Sequence, residues 1–317
     1  MSVSTSVTTM PPALTAAAAG PPRSLWSDAR RRLARNRAAV ASAGLLAFVV
    51  LACFAAPWWQ GLADPTAQDL RLGAALPTVA HPFGTDELGR DLLARLLYGA
   101  RVSLFIACTA VFLIAIVGTV MGIVAGYKSG WVDTVIGRFT DLLLAFPLIL
   151  MLIALSPVVT QRLTAVGLSN ENARIVYLII VFAFFGWPYL ARLIRGQVLS
   201  LREREFVEAA VANGAPTRRI LFTEILPNLW APIIVYVTIS LPTLIAAEAA
   251  LAYLGVGVIE PTPSWGKMLA DSVRYFAVVP TYLFIPGTAL FIVVYAFNVF
   301  GDAVRDALDP RTGRNLR

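Results

Sequence analysis

Residues that could carry acid–base, nucleophilic or metal chemistry are few in this sequence and lie far apart. The single histidine is His81, and the two cysteines, Cys53 and Cys108, both fall within apolar runs. A disulfide framework or a zinc site needs several Cys or His residues at short spacings. We therefore predict no catalytic residue and no metal site, and we expect both cysteines to be small buried side chains.

The composition is that of an integral membrane protein. Hydrophobic residues make up 58% and charged residues 14% of the chain, whereas a soluble domain has roughly 25% charged residues. The net charge of +7 could indicate a nucleic-acid partner, but the arginines flank apolar runs instead of forming one stripe. We predict an all-α protein surrounded by membrane lipid, with no nucleic-acid partner.

A long polar insert, Ser200–Pro227, separates two apolar runs. Ser200 and Glu203 have the spacing of a capping box, which predicts a helix that begins directly after Ser200. Gly214 should end that helix, and Pro216 suits the first turn of a second one, which we expect to stop before the final proline. The pattern predicts a compact helical hairpin on one membrane face.

Six apolar runs approach the ~20 residues that a membrane-spanning helix needs. The first follows an arginine-rich amphipathic segment, and we interpret it as an uncleaved span because it is longer than a secretory signal core. The predicted spans cover about 38–56, 102–125, 142–159 (with Pro147 inside it), a fourth that ends near 191 after a polar loop over 160–174, 231–254 and 281–300.

This pattern divides the chain into five parts. They are a disordered tail (1–22), an amphipathic interfacial helix (23–37), the first span with an outer segment (38–101), a core with the polar hairpin (102–311, hairpin 200–227) and a short tail (312–317).

Local charge patterns predict several smaller features. Thr85 is expected to cap a helix whose first turn carries Asp86 and Glu87. Asp91 and Arg95 have the spacing of an ion pair within a helix. Near the third span, Asp141 follows Arg138 by three residues, so we expect these two side chains to pair at the membrane interface.

Glycines recur every fourth residue in the second span, at Gly118, Gly122 and Gly126. This spacing lets another helix approach closely. The run from Gly122 to Lys128 is not a phosphate-binding loop, because it has three residues instead of four between its glycines and Tyr127 precedes the lysine. We find no nucleotide-binding motif and predict no bound cofactor.

Several motifs resemble bacterial ABC-importer permeases of the dipeptide/oligopeptide branch, specifically their C-type subunit. They are the run from Phe83 to Leu104, the run from Glu248 to Leu269, the tail from Phe300 to Arg311, and the elements of an EAA loop: Glu208, Ala209, Ala210, Gly214, Leu226 and Pro227. The usual EAA pattern has Ile where this chain has Glu224, with Ile225 following. The resemblance implies a type I ABC-importer permease fold with six transmembrane helices.

The resemblance also implies the partners. The second short helix of the hairpin would dock on a cytoplasmic ATPase, with Arg218 and Arg219 among the coupling residues. A homologous second permease chain, two ATPases that bind ATP and Mg²⁺, and an extracytoplasmic binding protein would complete the importer, whose cargo would be di- or oligopeptides. Permeases of this branch also carry nickel chelates or glutathione, and a membrane anchor that recruits a partner without transport is a further alternative.

The charge distribution predicts the orientation. If the N-terminus is cytoplasmic, 18 of the 26 Lys and Arg residues lie on the cytoplasmic side and eight on the other. Positive residues accumulate on the cytoplasmic side of membrane proteins. We therefore predict that both termini and the hairpin are cytoplasmic, in a bacterial inner membrane as the resemblance implies.

Glu248 is the acidic residue set deepest in an apolar run, and such a group is a functional candidate. It follows Ala231 by 17 residues, or roughly 25 Å along a helix, which is close to the outer edge of a hydrocarbon core about 30 Å thick. Two hypotheses remain: a charge in the pathway that recognises a peptide amino terminus, or a carboxylate bonded to a neighbouring helix or loop near Tyr253–Trp265. An intramembrane enzyme is disfavoured, because no His lies in any predicted span.

Overall fold

The computed structural model describes residues 25–308, and these residues form helices joined by loops, with no strand. The predicted disordered tail (1–22) and the tail at 312–317 lie outside this range. The helices are α1 (Leu25–Arg35), α2 (Arg37–Ala55), α3 (Leu92–Lys128), α4 (Gly130–Ala145), α5 (Leu148–Ala165), α6 (Asn170–Leu201), α7 (Glu205–Ala212), α8 (Thr217–Arg219), α9 (Leu226–Tyr253), α10 (Trp265–Ser272) and α11 (Pro280–Leu308).

Six helical segments between residues 25 and 308 are long and apolar enough to cross a membrane. They are Arg37–Trp58, Leu92–Lys128, Leu148–Ala165, Asn170–Leu201, Thr217–Tyr253 and Pro280–Leu308. The predicted all-α class and number of spans are confirmed. Several helices exceed the apolar runs: α3 has 37 residues, about 55 Å at 1.5 Å per residue, against a hydrocarbon core about 30 Å thick.

The interfacial helix predicted over 23–37 corresponds to α1, which ends at Arg35, one residue before α2 begins. The Asn36 side chain accepts hydrogen bonds from the amides of Ala38 (3.0 Å) and Ala39 (3.2 Å), so a new helix begins at Arg37. In α1, Ala29 is buried and Leu33 half-buried, while the arginines are exposed. The helix is therefore amphipathic, and it packs against α11 and α2.

The start of α3 corrects three predictions. Thr85 caps no helix, because Gly89 has φ +73° and this conformation interrupts helical geometry. The helix α3 begins at Leu92, ten residues before the expected start of the second span. Asp91 is its N-cap and accepts from the Ala94 amide at 2.8 Å. Asp91 lies 2.9 Å from His81 Nδ1 and does not pair with Arg95. The boundary predicted at 101/102 therefore falls inside a helix.

The predicted third span is wrong in its bounds, because the chain breaks at Phe146-Pro147. A residue before proline is pushed to extended geometry, and Phe146 has ψ 135°. Pro147 is the N-cap of α5 and lies inside no helix. The expected loop over 160–174 is also mostly helical, since α5 ends at Ala165 and α6 begins at Asn170.

Ion pairs join α4 to α6. Asp141 pairs with Arg192, not with Arg138 as predicted, and Asp133 pairs with Arg195, with 2.6 Å between Asp133 Oδ2 and Arg195 Nη2. A charged residue can thus pair with a residue on a neighbouring helix instead of with the nearest opposite charge along the chain. Sequence spacing alone does not reveal such a partner.

The cysteines differ from each other. Cys53 is buried as predicted, but Cys108 is exposed, so the prediction that it is buried is wrong. Cys108 is a helical turn from Phe105 and Phe112, which are also exposed, so it lies on the outward apolar face of α3. In a membrane protein an apolar residue can face lipid as readily as the core.

Candidate functional site

In the structure the polar hairpin comprises residues 202–225 and links α6 to α9. The predicted capping box is not formed: Ser200 belongs to the last turn of α6, whose end is completed by a bond from the Arg202 amide to the Val198 carbonyl (2.9 Å). The first arm, α7, begins only at Glu205, and Arg204 at its N-cap makes no side-chain capping bond. The buried Val198 shows why α6 continues, since its apolar face still packs at this depth.

The bend of the polar hairpin lies at Gly214, as predicted. Gly214 has φ +71°, a conformation that side-chain-bearing residues rarely adopt. Its amide bonds the Val211 carbonyl at 2.9 Å, and the Ala215 amide bonds the Ala210 carbonyl at 3.0 Å, which satisfies the end of α7. Pro216 then caps the second arm, so it stands just before the first turn instead of within it.

The second arm does not stop before Pro227, so that prediction is wrong. From α8 the chain continues through a π-helical segment, Ile220–Ile225, directly into α9, where Pro227 occupies the first turn. At the junction the Leu226 amide bonds the Leu221 carbonyl, five residues back. A π-helical turn is one way in which a helix accommodates a proline that cannot donate. The second arm of the hairpin and the fifth span therefore form one continuous helix, Thr217–Tyr253.

One face of the polar hairpin is fixed to the spans. Val207, Ile220 and Ile225 are buried in one apolar cluster with Val198 of α6 and Leu229 of α9. Ala210, Leu221 and Leu226 pack against the edge of this cluster. The hairpin is consequently held against the bundle by its own apolar side chains.

The opposite face is exposed and carries both apolar and charged side chains. Phe206, Val211 and Phe222 are 41%, 55% and 63% exposed. Glu208, Ala209, Arg218, Arg219 and Pro227 are exposed as well, and the structure gives none of these charged residues an ion pair within residues 25–308. Exposed aromatic residues beside unpaired charges are typical of a protein-binding surface.

The sequence predicted the charged part of this surface but missed its apolar residues. Every residue of α7 except its two glutamates is apolar, so composition could not separate the buried Val207 from the exposed Phe206 beside it. The two residues differ only in the direction in which each points from the helix axis. The sequence predicts a helix that starts at Leu201 instead of Glu205, so it does not identify Phe206 as an exposed residue.

The glycine-spaced face of α3 packs against α6. A Cβ on Gly118 would lie 2.8 Å from the Cβ of Leu190, and one on Gly126 would lie 2.8 Å from the Cβ of Val198. At Gly122 it would lie 2.7 Å from the Ala191 carbonyl oxygen. Since real Cβ contacts are longer, these positions need glycine for the two helices to approach this closely.

Glu248 is fully buried between three elements. Ser264 Oγ donates to one carboxylate oxygen at 2.8 Å, and Ser103 Oγ of α3 donates to the other at 3.0 Å. Ser103 Oγ in turn accepts from the Trp265 amide at 3.2 Å, and Trp265 Nε1 donates to the Leu96 carbonyl at 2.9 Å. The carboxylate thus joins α9, α3 and the loop that leads into α10.

A buried ionic cluster lies at the same end of the bundle, and sequence reasoning missed it. Arg90 and Arg95 are both 1% exposed. Arg90 Nε donates to Asp86 at 2.6 Å, and both arginines pair with Glu260, with 3.0 Å for Arg95. Although burial alone would raise the pKa of Glu260, the charges of Arg95 and Arg90 outweigh it and lower that pKa. The cluster ties the loop before α3 to the loop after α9.

A groove of about 710 Å³ lies between α6, α9 and α11. Aliphatic side chains form the largest part of its wall, aromatic and hydroxyl side chains form a smaller part, and the charged member of the lining is Arg305 near the end of α11. The lining includes Phe182, Phe185, Tyr189, Tyr236, Ser240 and Thr243. Glu248 does not line it.

The described residues thus combine six candidate membrane spans with a polar helical hairpin and a groove lined in part by α9. Residues 118–314 match the family "Binding-protein-dependent transport system inner membrane component". Residues 24–77 match the "N-terminal TM domain of oligopeptide transport permease C". The first match covers more than half of the chain, and the chain therefore belongs to this family of transport-system membrane components.

Several permease proteins are similar to this chain over nearly its whole length. The oligopeptide transport system permease protein OppC of Haemophilus influenzae is 39% identical over 91% of this chain and 89% of its own. The dipeptide transport system permease protein DppC of Alkalihalophilus pseudofirmus is 40% identical over 90% of each chain. OppC of Escherichia coli K12 is 38% identical over 91% and 92%.

The fold is also that of solved ABC-importer permeases. A chain of the MetNI methionine ABC transporter, in a structure titled for inward-facing conformations, superposes with a TM-score of 0.54 at 20% identity. The match covers 69% of this chain and 98% of that one. The predicted type I permease fold is confirmed, and the chain is a multi-pass membrane permease.

Proposed function

We propose that this chain is the permease subunit of an ATP-driven importer for di- or oligopeptides and forms half of its translocation pathway. One observation carries the proposal: the second arm of the polar hairpin runs without interruption into α9, which lines the groove. Any force applied to the hairpin is therefore transmitted directly to a wall of the groove.

The exposed face of the polar hairpin is the proposed contact with a cytoplasmic ATPase. Phe206, Val211 and Phe222 provide apolar anchors, and Glu208, Arg218 and Arg219 provide charges that fix the orientation. Gly214 sets the angle between the two arms. Glu224, at the usual isoleucine position of the loop, is half-buried, while its neighbour Ile225 fills the apolar cluster.

The transport cycle then follows from a two-state motion. When the ATPases close, the hairpin and α9 move together relative to α6 and α11, and the groove changes its accessible side. The mostly uncharged wall suits cargo whose side chains vary, because Arg305 is the single charged side chain among the described residues that line it. Selection is then left to the binding protein that delivers the cargo.

The complete importer contains a homologous second permease, two ATPases and an extracytoplasmic binding protein. The ATPases bind ATP and Mg²⁺ and perform the hydrolysis, and this chain is a non-catalytic subunit. Both its termini lie in the cytoplasm of a bacterium whose inner membrane it spans, as the excess of positive residues at that side supports.

Relatives named for oligopeptides and dipeptides support peptides as the cargo class. The test is uptake of a labelled dipeptide and a labelled pentapeptide into proteoliposomes that contain the complete importer, with ATP inside. We expect uptake that requires the ATPases, and none from liposomes with this chain alone. Uptake of a nickel chelate or glutathione in place of both peptides would reject the cargo class, and assembly without any uptake would support the membrane-anchor alternative.

A further inference from the structure

A second cavity lies outside the groove, between α1, α9 and α11. Its volume is about 600 Å³. The wall is mainly apolar, formed by Ala29, Leu33, Ile234, Val304, Ala307 and Leu308. Because α1 contributes one wall and leads directly into the first span, the cavity lies at the membrane boundary beside the start of that span.

The helix that forms one wall of this cavity is rich in arginine. Arg30 lines it, and the same short helix and its junction to α2 carry Arg31, Arg35 and Arg37. Arg30 is exposed and makes no ion pair with a carboxylate in residues 25–308. Asp28 and Asp306, the acidic residues nearest along the chain, do not line the cavity.

An apolar cavity at a membrane boundary fits an anionic phospholipid when it lies beside a guanidinium that has no carboxylate partner among the described residues. An acyl chain would occupy the apolar space, and the phosphate would accept hydrogen bonds from Arg30. A zwitterionic lipid offers the same acyl chain but adds a positive group next to the arginines, so the charge favours the anionic lipid.

We propose that the cavity between α1, α9 and α11 binds one anionic glycerophospholipid, with its phosphate at Arg30 and an acyl chain against Ala29, Leu33 and Ala307. The leaflet that supplies the lipid rests on the orientation proposed above, and is the cytoplasmic one. A bound lipid at this place holds α1 against α9, the helix that continues from the polar hairpin.

The test is native mass spectrometry of the detergent-purified complex that contains the full chain, titrated with dioleoylphosphatidylglycerol or dioleoylphosphatidylcholine. We expect one phosphatidylglycerol to bind per copy of this chain, at least about fivefold more tightly than phosphatidylcholine. Arg30→Gln should weaken phosphatidylglycerol binding about fivefold. Arg31→Gln removes the same charge from a residue that does not line the cavity, and should change binding less than about twofold.

A second variant tests the acyl-chain site without changing charge. Ala307→Phe fills the cavity from a half-buried position, and should abolish binding of both lipids while the complex remains assembled. Equal losses in Arg30→Gln and Arg31→Gln, equal affinity for both lipids, or full binding by Ala307→Phe would each overturn the proposal. Uptake is not read in this assay, so a complex that binds lipid but transports no peptide rejects the proposed function and keeps the lipid site.

Discussion

At the scale of single residues, Glu248 shows how a carboxylate deep in an apolar helix can be structural. Both its oxygens accept from serine hydroxyls, Ser103 on one side and Ser264 on the other, and it has no contact with the groove. Of the two hypotheses for this residue, the geometry supports the structural one.

Replacement of Glu248 distinguishes a structural role from a pathway role. Gln retains the shape and one acceptor, so Glu248→Gln should give nearly normal uptake and a normal yield of assembled complex. Leu leaves the hydroxyls of Ser103 and Ser264 buried without this partner, at a cost of about 1–3 kcal/mol for each group, so Glu248→Leu should lower the yield. Uptake abolished by Gln in an intact complex would show that the charge acts in the pathway.

At the scale of elements, the close approach of α3 and α6 depends on glycine. Gly122→Leu would place side-chain atoms against the Ala191 carbonyl and Ile194, so it should reduce thermal stability and folded yield by the equivalent of about 1–3 kcal/mol. Gly196→Leu is the matched control, because a Cβ there meets nothing within 4 Å and the residue is exposed. Equal effects of the two substitutions would remove the packing explanation.

The buried ionic cluster predicts a dependence of stability on pH. The folded-state pKa of Glu260 is lowered from an ordinary value of 4.5, so its contribution is fully present above pH 4.5 and is lost as the pH falls through the folded-state pKa. Glu260→Gln should therefore lower the unfolding temperature at pH 7, and this temperature should fall less than in the wild type between pH 5 and about pH 3.5. A parallel fall in both proteins would mean that Glu260 does not contribute to acid sensitivity.

The apolar runs in the sequence predicted the central parts of the membrane-spanning helices, but they did not predict several of the helix ends. The sequence assigns the first turns of α3 to a polar outer segment because they contain Arg95 and follow Arg90, yet both arginines are buried against Glu260, some 165 residues or more away. Local patterns cannot report such distant partners. The sequence alone predicted the bend at Gly214 and the charged residues of the hairpin. It did not predict that Phe222 is exposed, because that depends on which face of the hairpin packs against the bundle.

At the scale of the whole molecule, the proposed orientation has a direct test. In a background with Cys53 and Cys108 replaced, a cysteine at Val79 should react with a membrane-impermeant maleimide from outside, since Val79 is fully exposed. A cysteine at Asn213, exposed at the tip of the polar hairpin, should react only after the membrane is opened. Thr85 is unsuitable for this purpose because it is buried. The reverse labelling pattern would invert the topology.

Three parts of the molecule lie along one path from the hairpin to the groove. The hairpin receives motion on its exposed face, the π-helical junction passes it to α9, and α9 forms part of the groove wall. The ionic cluster and the Glu248 network hold the other end of the bundle, where the loops between α9 and α10 meet the start of α3. Motion at one end would then change the groove without loosening the opposite end.

The central claim, that the exposed face of the polar hairpin couples an ATPase to transport, is tested most directly by Phe222→Asp. Phe222 is 63% exposed, so the substitution places a charge in the proposed contact without disturbing the buried cluster. ATP-driven peptide uptake and ATPase co-purification are measured together, with Val79→Asp as the control at the opposite end. We predict that Phe222→Asp lowers both by at least about tenfold while the permease chains remain assembled, and that Val79→Asp changes neither. Wild-type uptake and co-purification in Phe222→Asp would contradict the account.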